Sequence, residues 1–282
     1  MTRADLHLHS TTSDGSYTVA ELADLAAQEH LDLIAITDHD TLAHKQYMTG
    51  NYPVNVLCGI EISACDYKHR KRAHILGYNI QDVDMVESFV HPLLLDRHET
   101  SMMQIELIQK EGYHIDLNDM KRADNKYIYK QHIMEYLTRT GQVPDYYGEF
   151  YKKTFQNGGV CDFHIQCLSP YEAVETIVKA GGQAVLAHSG EQQNFCLIPG
   201  LVEAGLSGLE LNHPSNSEKD KEIIRANAEK YNLFLTGGSD YHGKYDHKNS
   251  YIGKYLADQS GINAILSYKK EQEESLLKKV AQ

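Results

Sequence analysis

Six segments of this chain place His, Asp or Glu where an apolar run meets a polar stretch. His7 and His9 stand two residues apart in "ADLHLHS", so on a strand both imidazoles point to one face, which Asp5 shares. His39 follows the apolar run of "ITDHD", and Glu61 that of "GIEIS". His74 opens "AHILGY", His188 ends "AVLAHS", and Asp240 and His242 lie two apart in "GGSDYHG". A His-x-His pair alone reads either as half a metal site or as two hydrogen-bonded core histidines. Six such segments are hard to attribute to packing, because each unpaired buried imidazole or carboxylate is costly and a shared metal ion removes the cost from several at once. The donors are nitrogen and oxygen without thiolate, which suits Zn²⁺, Mn²⁺ or Fe²⁺ better than Cu⁺, Ca²⁺ or Mg²⁺.

The elements that must position these residues follow an α/β rhythm. "ADLHLHS", "LDLIAITDHD", "VNVLCGIEIS" and "AHILGYNI" read as strands, the last reached through the basic turn "KHRKR". "TVAELADLAAQEH" reads as a helix with Thr18 as N-cap and Glu21 completing a capping box. After a break the rhythm resumes with "LSPYEAVETIVKAGG", capped by Ser169, and with the strands "QAVLAHS", "LSGLELNH" and "NLFLTGGSDYHG". The alternation predicts a mainly parallel sheet with helices outside, and chemistry gathered at the C-terminal ends of its strands. Residues 83–162 are richer in helix formers and predict an inserted helical subdomain between the barrel segments 1–82 and 163–282.

Composition narrows the partners. With 282 residues there is room for one large domain and an insertion. A formal net charge of −12 argues against stable duplex nucleic-acid binding and against an anionic membrane. The five cysteines are odd in number and show no C-x-x-C spacing, so neither a disulfide framework nor a cysteine zinc site is predicted. "MTRADLHLHS" leads straight into a strand pattern, no apolar run is long enough to span a bilayer, and a reducing cytoplasm is the expected location.

In order, "DLHLHSTTSDGSYT", "ITDHDT", "GIEIS", "HILGY", "AVLAHS" and "GSDYHG" resemble the motifs of the PHP (polymerase and histidinol phosphatase) superfamily, in its stand-alone phosphoesterase branch. The resemblance spans nearly the whole chain. It implies a distorted (β/α)7 barrel and three divalent metals. One would be held by His7, His9, Glu61 and Asp240. A second would share Glu61 and add His74 and His188, and a third would take Asp14, His39 and His242. From its residues alone, Asp14 in "SDGS" reads as a plain turn. Asp38 and Asp40 point away from His39 on a regular strand and are expected to support the ligands.

The implied activity is hydrolysis of phosphomonoesters by a metal-bound hydroxide, on nucleotide or short oligonucleotide ends, with Glu61, Asp240 and His213 as the catalytic set. Two departures bear on substrate. The family's Arg-Pro-His run is replaced by Lys130, Gln131 and His132, and Ser189 follows His188 where Pro is usual. Lys130, His132, Arg70 and His213 are the candidate substrate contacts. Lys130 otherwise reads as a solvated helix position, the run from Lys68 to Arg72 as a solvated turn, and His213 as a structural hydrogen-bonding group. His91, His98, His114 and His164 read as surface or structural. Two further functions stay open: a regulatory module with a weakened site, and a C–N bond hydrolase.

Overall fold

The computed structural model describes residues 1–120, 127–163, 165–245 and 250–280, with the side chains of 269–271 and 273–280 left aside; His164 lies outside the described residues. Seven strands form one sheet in chain order: β1 (Ala4–Leu8), β2 (Leu33–Ile36), β3 (Asn55–Asp66), β4 (Lys71–Tyr78), β5 (Gln183–Leu186), β6 (Gly208–Asn212) and β7 (Phe234–Gly237). The α-helices are α1 (Val19–Gln28), α2 (Val83–Lys110), α3 (Lys130–Arg139), α4 (Glu149–Phe155), α5 (Pro170–Lys179), α6 (Ser189–Gln192), α7 (Ile198–Glu203), α8 (Glu218–Tyr231) and α9 (Gln259–Val280).

Pairing is parallel except around β4, which is antiparallel to both β3 and β5. The cause is local: "YKHR" is too short for the crossover a parallel pair requires, so β3 and β4 form a hairpin. Reversal explains why His74 lies in the first half of its strand while His39, His188 and Asp240 follow theirs. The start of β4 lies at the same rim as the C-terminal ends of the parallel strands.

The sheet is a nearly closed, distorted barrel. Its seam joins the residues after β7 to β1, through Asp240 N donating to His7 O at 2.9 Å and His9 N to Tyr241 O at 3.1 Å. Gly238 permits this approach, since a Cβ there would lie 2.3 Å from His7 Cβ. Across the barrel, the buried Tyr78 hydroxyl donates to Leu6 O at 2.7 Å. The capping of α1 by Thr18 and Glu21 is as predicted.

Helices α3 and α4 and the far half of α2 enclose a separate core that includes Ile105, Ile133, Leu137 and Phe155. The near half of α2 inserts Val86 and Val90 into the core beside α5. Among the described residues no helix is long and apolar enough to cross a membrane.

One expectation is overturned. Cys65 on β3 and Cys167, just before α5, form a disulfide, although Cys58, Cys161 and Cys196 are free. Short-range spacing could not show a pair 102 residues apart that the fold brings together beside the Ala64–Leu168 bridge. In the chain-entropy account, closing such a loop restricts the unfolded chain by about 4–5 kcal/mol. Reductant is therefore expected to lower the melting temperature of the oxidised protein, and to leave Cys65→Ser unmoved. Identical melting curves with and without reductant would contradict the bond.

Candidate metal centre

The strand ends bring all nine predicted ligands to one rim. Glu61 is the hub, almost fully buried and touched from both sides. Its Oε2 lies 3.1 Å from His7 Nε2, 3.1 Å from His9 Nε2 and 3.3 Å from His39 Nδ1. Its Oε1 lies 2.8 Å from both His74 Nδ1 and His188 Nε2. Asp240 Oδ1 approaches His9 Nε2 at 3.1 Å. Asp14 gathers a further set, with His242 Nε2 at 3.4 Å, His9 Nδ1 at 3.5 Å and His39 Nε2 at 3.8 Å.

The structure brings together the grouping of His7, His9, Glu61 and Asp240, and that of His9, Asp14, His39 and His242. It also joins His39, Glu61 and His74. Several of these atoms are close without being hydrogen bonded. His7 Nε2, both ring nitrogens of His9, His39 Nδ1 and Glu61 Oε2 are buried with no hydrogen-bond partner. Short N···O distances with misaligned directions are what lone pairs converging on a shared point produce. Orphaned buried donors and acceptors are rare, and a cation answers several of them together. The residues fit divalent metal.

Electrostatics agree. Burial favours neutral imidazole, yet Glu61, Glu210 and Asp240 hold His7 well above the usual histidine range. His9 is pushed up to about 10, against burial, by Asp240 and Glu61. Burial opposes ionisation of Glu61 as well, but His7, His39 and His74 hold it well below the usual carboxylate range. His39 goes the other way, down to about 4, because burial outweighs its carboxylate neighbours. The centre favours positive charge at its middle. His188 at φ 23° and Asp240 at φ 51° sit in the left-handed region, at a cost of about 1–3 kcal/mol each. Such strain collects at functional sites.

Support comes from buried partners. Asp38 accepts from Ser10 N, Ser10 Oγ and Ser13 Oγ at 2.6–2.7 Å and meets His44 at 2.8 Å. Asp40 accepts from Ser63 N at 2.7 Å and pairs with Arg97 at 2.6 Å. Sequence reasoning missed Glu210, which meets His7 Nδ1 at 2.9 Å and accepts from His188 N at 2.8 Å. A lone carboxylate within the apolar run of "LSGLEL" was its only signal. Arg97 was missed too. Gln131, in the replaced motif, donates to Asp14 Oδ2 at 2.9 Å.

The predicted substrate contacts separate. Lys130 begins α3, its ammonium 5.7 Å from the Tyr151 ring and 5.3 Å from the Phe155 ring, so it does not sit on a solvated face. His132 is buried and accepts from Tyr129 N at 3.0 Å, capping α3. It also lines a cavity of about 910 Å³ with Ser16, Tyr47, Tyr52 and Lys244. His213 is wholly buried, 3.3 Å from Asp240 Oδ2, and accepts from Ser215 N. That position lets it orient Asp240, and it shares a grouping with His7 and Glu210. Arg70 is exposed in the hairpin turn and makes no ion pair with the cluster among the described residues.

Known proteins place this arrangement. The PHP domain family matches residues 5–180. The chain is 38% identical over 248 residues to the phosphoribosyl 1,2-cyclic phosphate 1,2-diphosphodiesterase of Eggerthella lenta, covering 86% of this chain and 94% of that protein. It is 30% identical over 253 residues to the 3',5'-nucleoside bisphosphate phosphatase of Chromobacterium violaceum, covering 86% and 88%. A crystal structure described as a metal-dependent phosphoesterase from Bifidobacterium adolescentis superposes with a TM-score of 0.81 at 25% identity, covering 94% of this chain and 96% of that one. With nine His, Asp and Glu side chains converging on one barrel rim, the chain belongs to the PHP family and is a metal-dependent phosphoester hydrolase.

Proposed function

We propose that the substrate is a small phosphorylated pentose or nucleotide and that up to three divalent transition metals, Mn²⁺, Fe²⁺ or Zn²⁺, serve its hydrolysis. The observation that carries the metal number is the division of Glu61 between two imidazole sets, with Asp14 organising a third. His7, His9, Glu61 and Asp240 would hold one ion, Glu61, His74 and His188 a second, and Asp14, His39 and His242 a third. When bound, such ions activate water and neutralise phosphoryl charge.

The chain's own residues do the rest. Glu210 fixes the His7 ring through Nδ1 and leaves Nε2 facing the centre. His213 steadies Asp240, and Gln131 ties α3 to Asp14. Lys130, half-buried at the start of α3, would meet a phosphate. The substrate class is supported by the relatives, whose named substrates each carry two phosphoryl groups on one pentose. Residues 83–162 act as an inserted subdomain that contributes to substrate reading. We keep a reducing cytoplasm as the expected location, where Cys65 and Cys167 would be held as thiols, so their oxidation state in cells tests it.

The function is tested by measuring ester opening and phosphate release, with Mn²⁺, across nucleotides, nucleoside bisphosphates, pentose cyclic phosphates and sugar phosphates. Amide substrates serve as the comparison. Turnover is expected to be highest on doubly phosphorylated pentoses. Preference for unphosphorylated amides, or for phosphoesters lacking a pentose, would overturn the substrate reading.

A further inference from the structure

Cys58, His44 and Asp38 make a chain of contacts outside the ligand set. Cys58 Sγ lies 3.4 Å from His44 Nε2, and His44 Nδ1 lies 2.8 Å from Asp38 Oδ2. His44, on the short 3-10 helix Ala43–Tyr47, and Asp38, just after β2, are both wholly buried. Cys58 on β3 is a free thiol and only half-buried. It stands three residues before Glu61, so on this strand the two side chains point to opposite faces. The sulfur packs on the outer side of the barrel wall, against the core that includes Leu42 and Ile60. Among the described residues Cys58 belongs to none of the metal groupings.

A nucleophile, an imidazole and a carboxylate in that order are what activates a side chain for attack. The thiolate is the reactive form of cysteine, and a neighbouring imidazolium favours it. Against burial, Asp38 and Cys58 hold the His44 imidazole up to about 10, so His44 carries its proton at neutral pH. A sulfur that is only partly exposed selects a small reagent, and hydrogen peroxide is close to water in size. The far end of the chain of contacts meets the ligand rim. Asp38 accepts from Ser13 Oγ at 2.7 Å, and that same hydroxyl lies 3.1 Å from Asp14 Oδ1. The Asp38 carbonyl also accepts from Glu61 N at 3.1 Å.

We propose that Cys58, His44 and Asp38 form a peroxide-reactive thiol site, and that oxidation of Cys58 slows the hydrolase by disturbing Asp38 and, through Ser13, Asp14. The reactivity is independent of the phosphoesterase reading above, and the slowing rests on it. The Cys58 thiolate attacks one oxygen of hydrogen peroxide. An S–O bond forms as the O–O bond breaks, and the departing hydroxide takes the proton of His44 Nε2 and leaves as water. Sulfur is oxidised by two electrons to a sulfenic acid, peroxide oxygen is reduced, and His44 is left neutral. The added oxygen needs room at a contact of 3.4 Å, so the imidazole shifts against Asp38.

The test uses the full chain, loaded with Mn²⁺ and with the Cys65–Cys167 bond formed. Wild type, Cys58→Ser, Cys196→Ser and His44→Asn are exposed to hydrogen peroxide. Sulfenic acid is trapped with dimedone and mapped by mass spectrometry, while hydrolysis of adenosine 3',5'-bisphosphate is followed in parallel. Cys58 is expected to be labelled at least about tenfold faster than the exposed Cys196, through its greater share of thiolate. Full labelling should slow hydrolysis by wild type and Cys196→Ser about tenfold, the usual cost of losing a partner behind a metal ligand. Cys58→Ser should start from the wild-type rate and keep it under peroxide. His44→Asn should bring labelling of Cys58 down to the Cys196 rate; if that variant does not fold, the comparison of the two thiols in wild type decides. Labelling of Cys58 no faster than of Cys196 overturns the site. Full labelling with unchanged hydrolysis, or equal inactivation of Cys58→Ser, overturns its hold on the metal centre. Rapid labelling of Cys58 in a protein that hydrolyses nothing before treatment counts against the phosphoesterase reading and leaves the thiol site standing.

Discussion

Glu61→Gln is expected to cut phosphoester hydrolysis by about a thousandfold or more, equivalent to about 4 kcal/mol of transition-state stabilisation. The amide is nearly isosteric, so packing around the buried hub survives. What changes is one anionic oxygen, replaced by an NH₂ that faces imidazole nitrogens. Whichever way the amide turns, either the His7, His9 and His39 side or the His74 and His188 side loses its carboxylate partner. A monodentate structural carboxylate would cost one contact, whereas this one serves five imidazoles. Circular dichroism should show an unchanged fold while metal content falls. Hydrolysis within a few-fold of wild type would remove Glu61 from the centre.

Stripping the metal should have an effect of similar reach, on stability as well as on turnover. The buried orphan atoms of His7, His9, His39 and Glu61 have nothing else to satisfy them among the described residues. A ligand present at a hundred times its dissociation constant stabilises by about 2.7 kcal/mol. For a domain of this size that corresponds to a melting shift of about 5–10 °C. Chelation followed by dialysis is expected to abolish hydrolysis and lower the melting temperature, and Mn²⁺ should restore both. Elemental analysis before stripping should find more than one equivalent of transition metal. Full activity in protein with less than about a tenth of an equivalent would sink the metal-dependent chemistry for this chain.

The candidate ligand positions were legible because of where the fold puts them. A buried strand that ends in His or Asp advertises a rim, and His39, His188 and Asp240 all follow that rule. Asp14 could be read only by resemblance, since a Ser-Asp-Gly turn looks the same with or without a metal. The residues behind the ligands were harder to see. Glu210 is one carboxylate inside an apolar strand, and nothing local says that it faces His7. Arg97 lies on a helix that packs its two halves into different cores, so its face cannot be inferred from periodicity. His213 was ambiguous in sequence because a histidine after a strand can face either the cleft or a neighbouring ligand. The disulfide needed two residues 102 apart to be neighbours, which is information that only the fold carries.

The seam of the barrel also sets an order of events during synthesis. Asp5 accepts hydrogen bonds from Ser239 N, 234 residues later, and from Gly253 N, 248 residues later. Asp240 and His242 reach the centre only through that same stretch of chain. A nascent polypeptide thus carries His7, His9 and Glu61 for most of its time on the ribosome without the partners that complete their binding set. Domains of high contact order fold late and remain exposed while they wait. The grouping of His7, His9, Glu61 and Asp240 is consequently complete only once the chain beyond Asp240 has been made. A product truncated shortly before Asp240 would present a half-built ring of imidazoles with an open sheet edge, a species prone to scavenge metal and to aggregate rather than to hydrolyse anything.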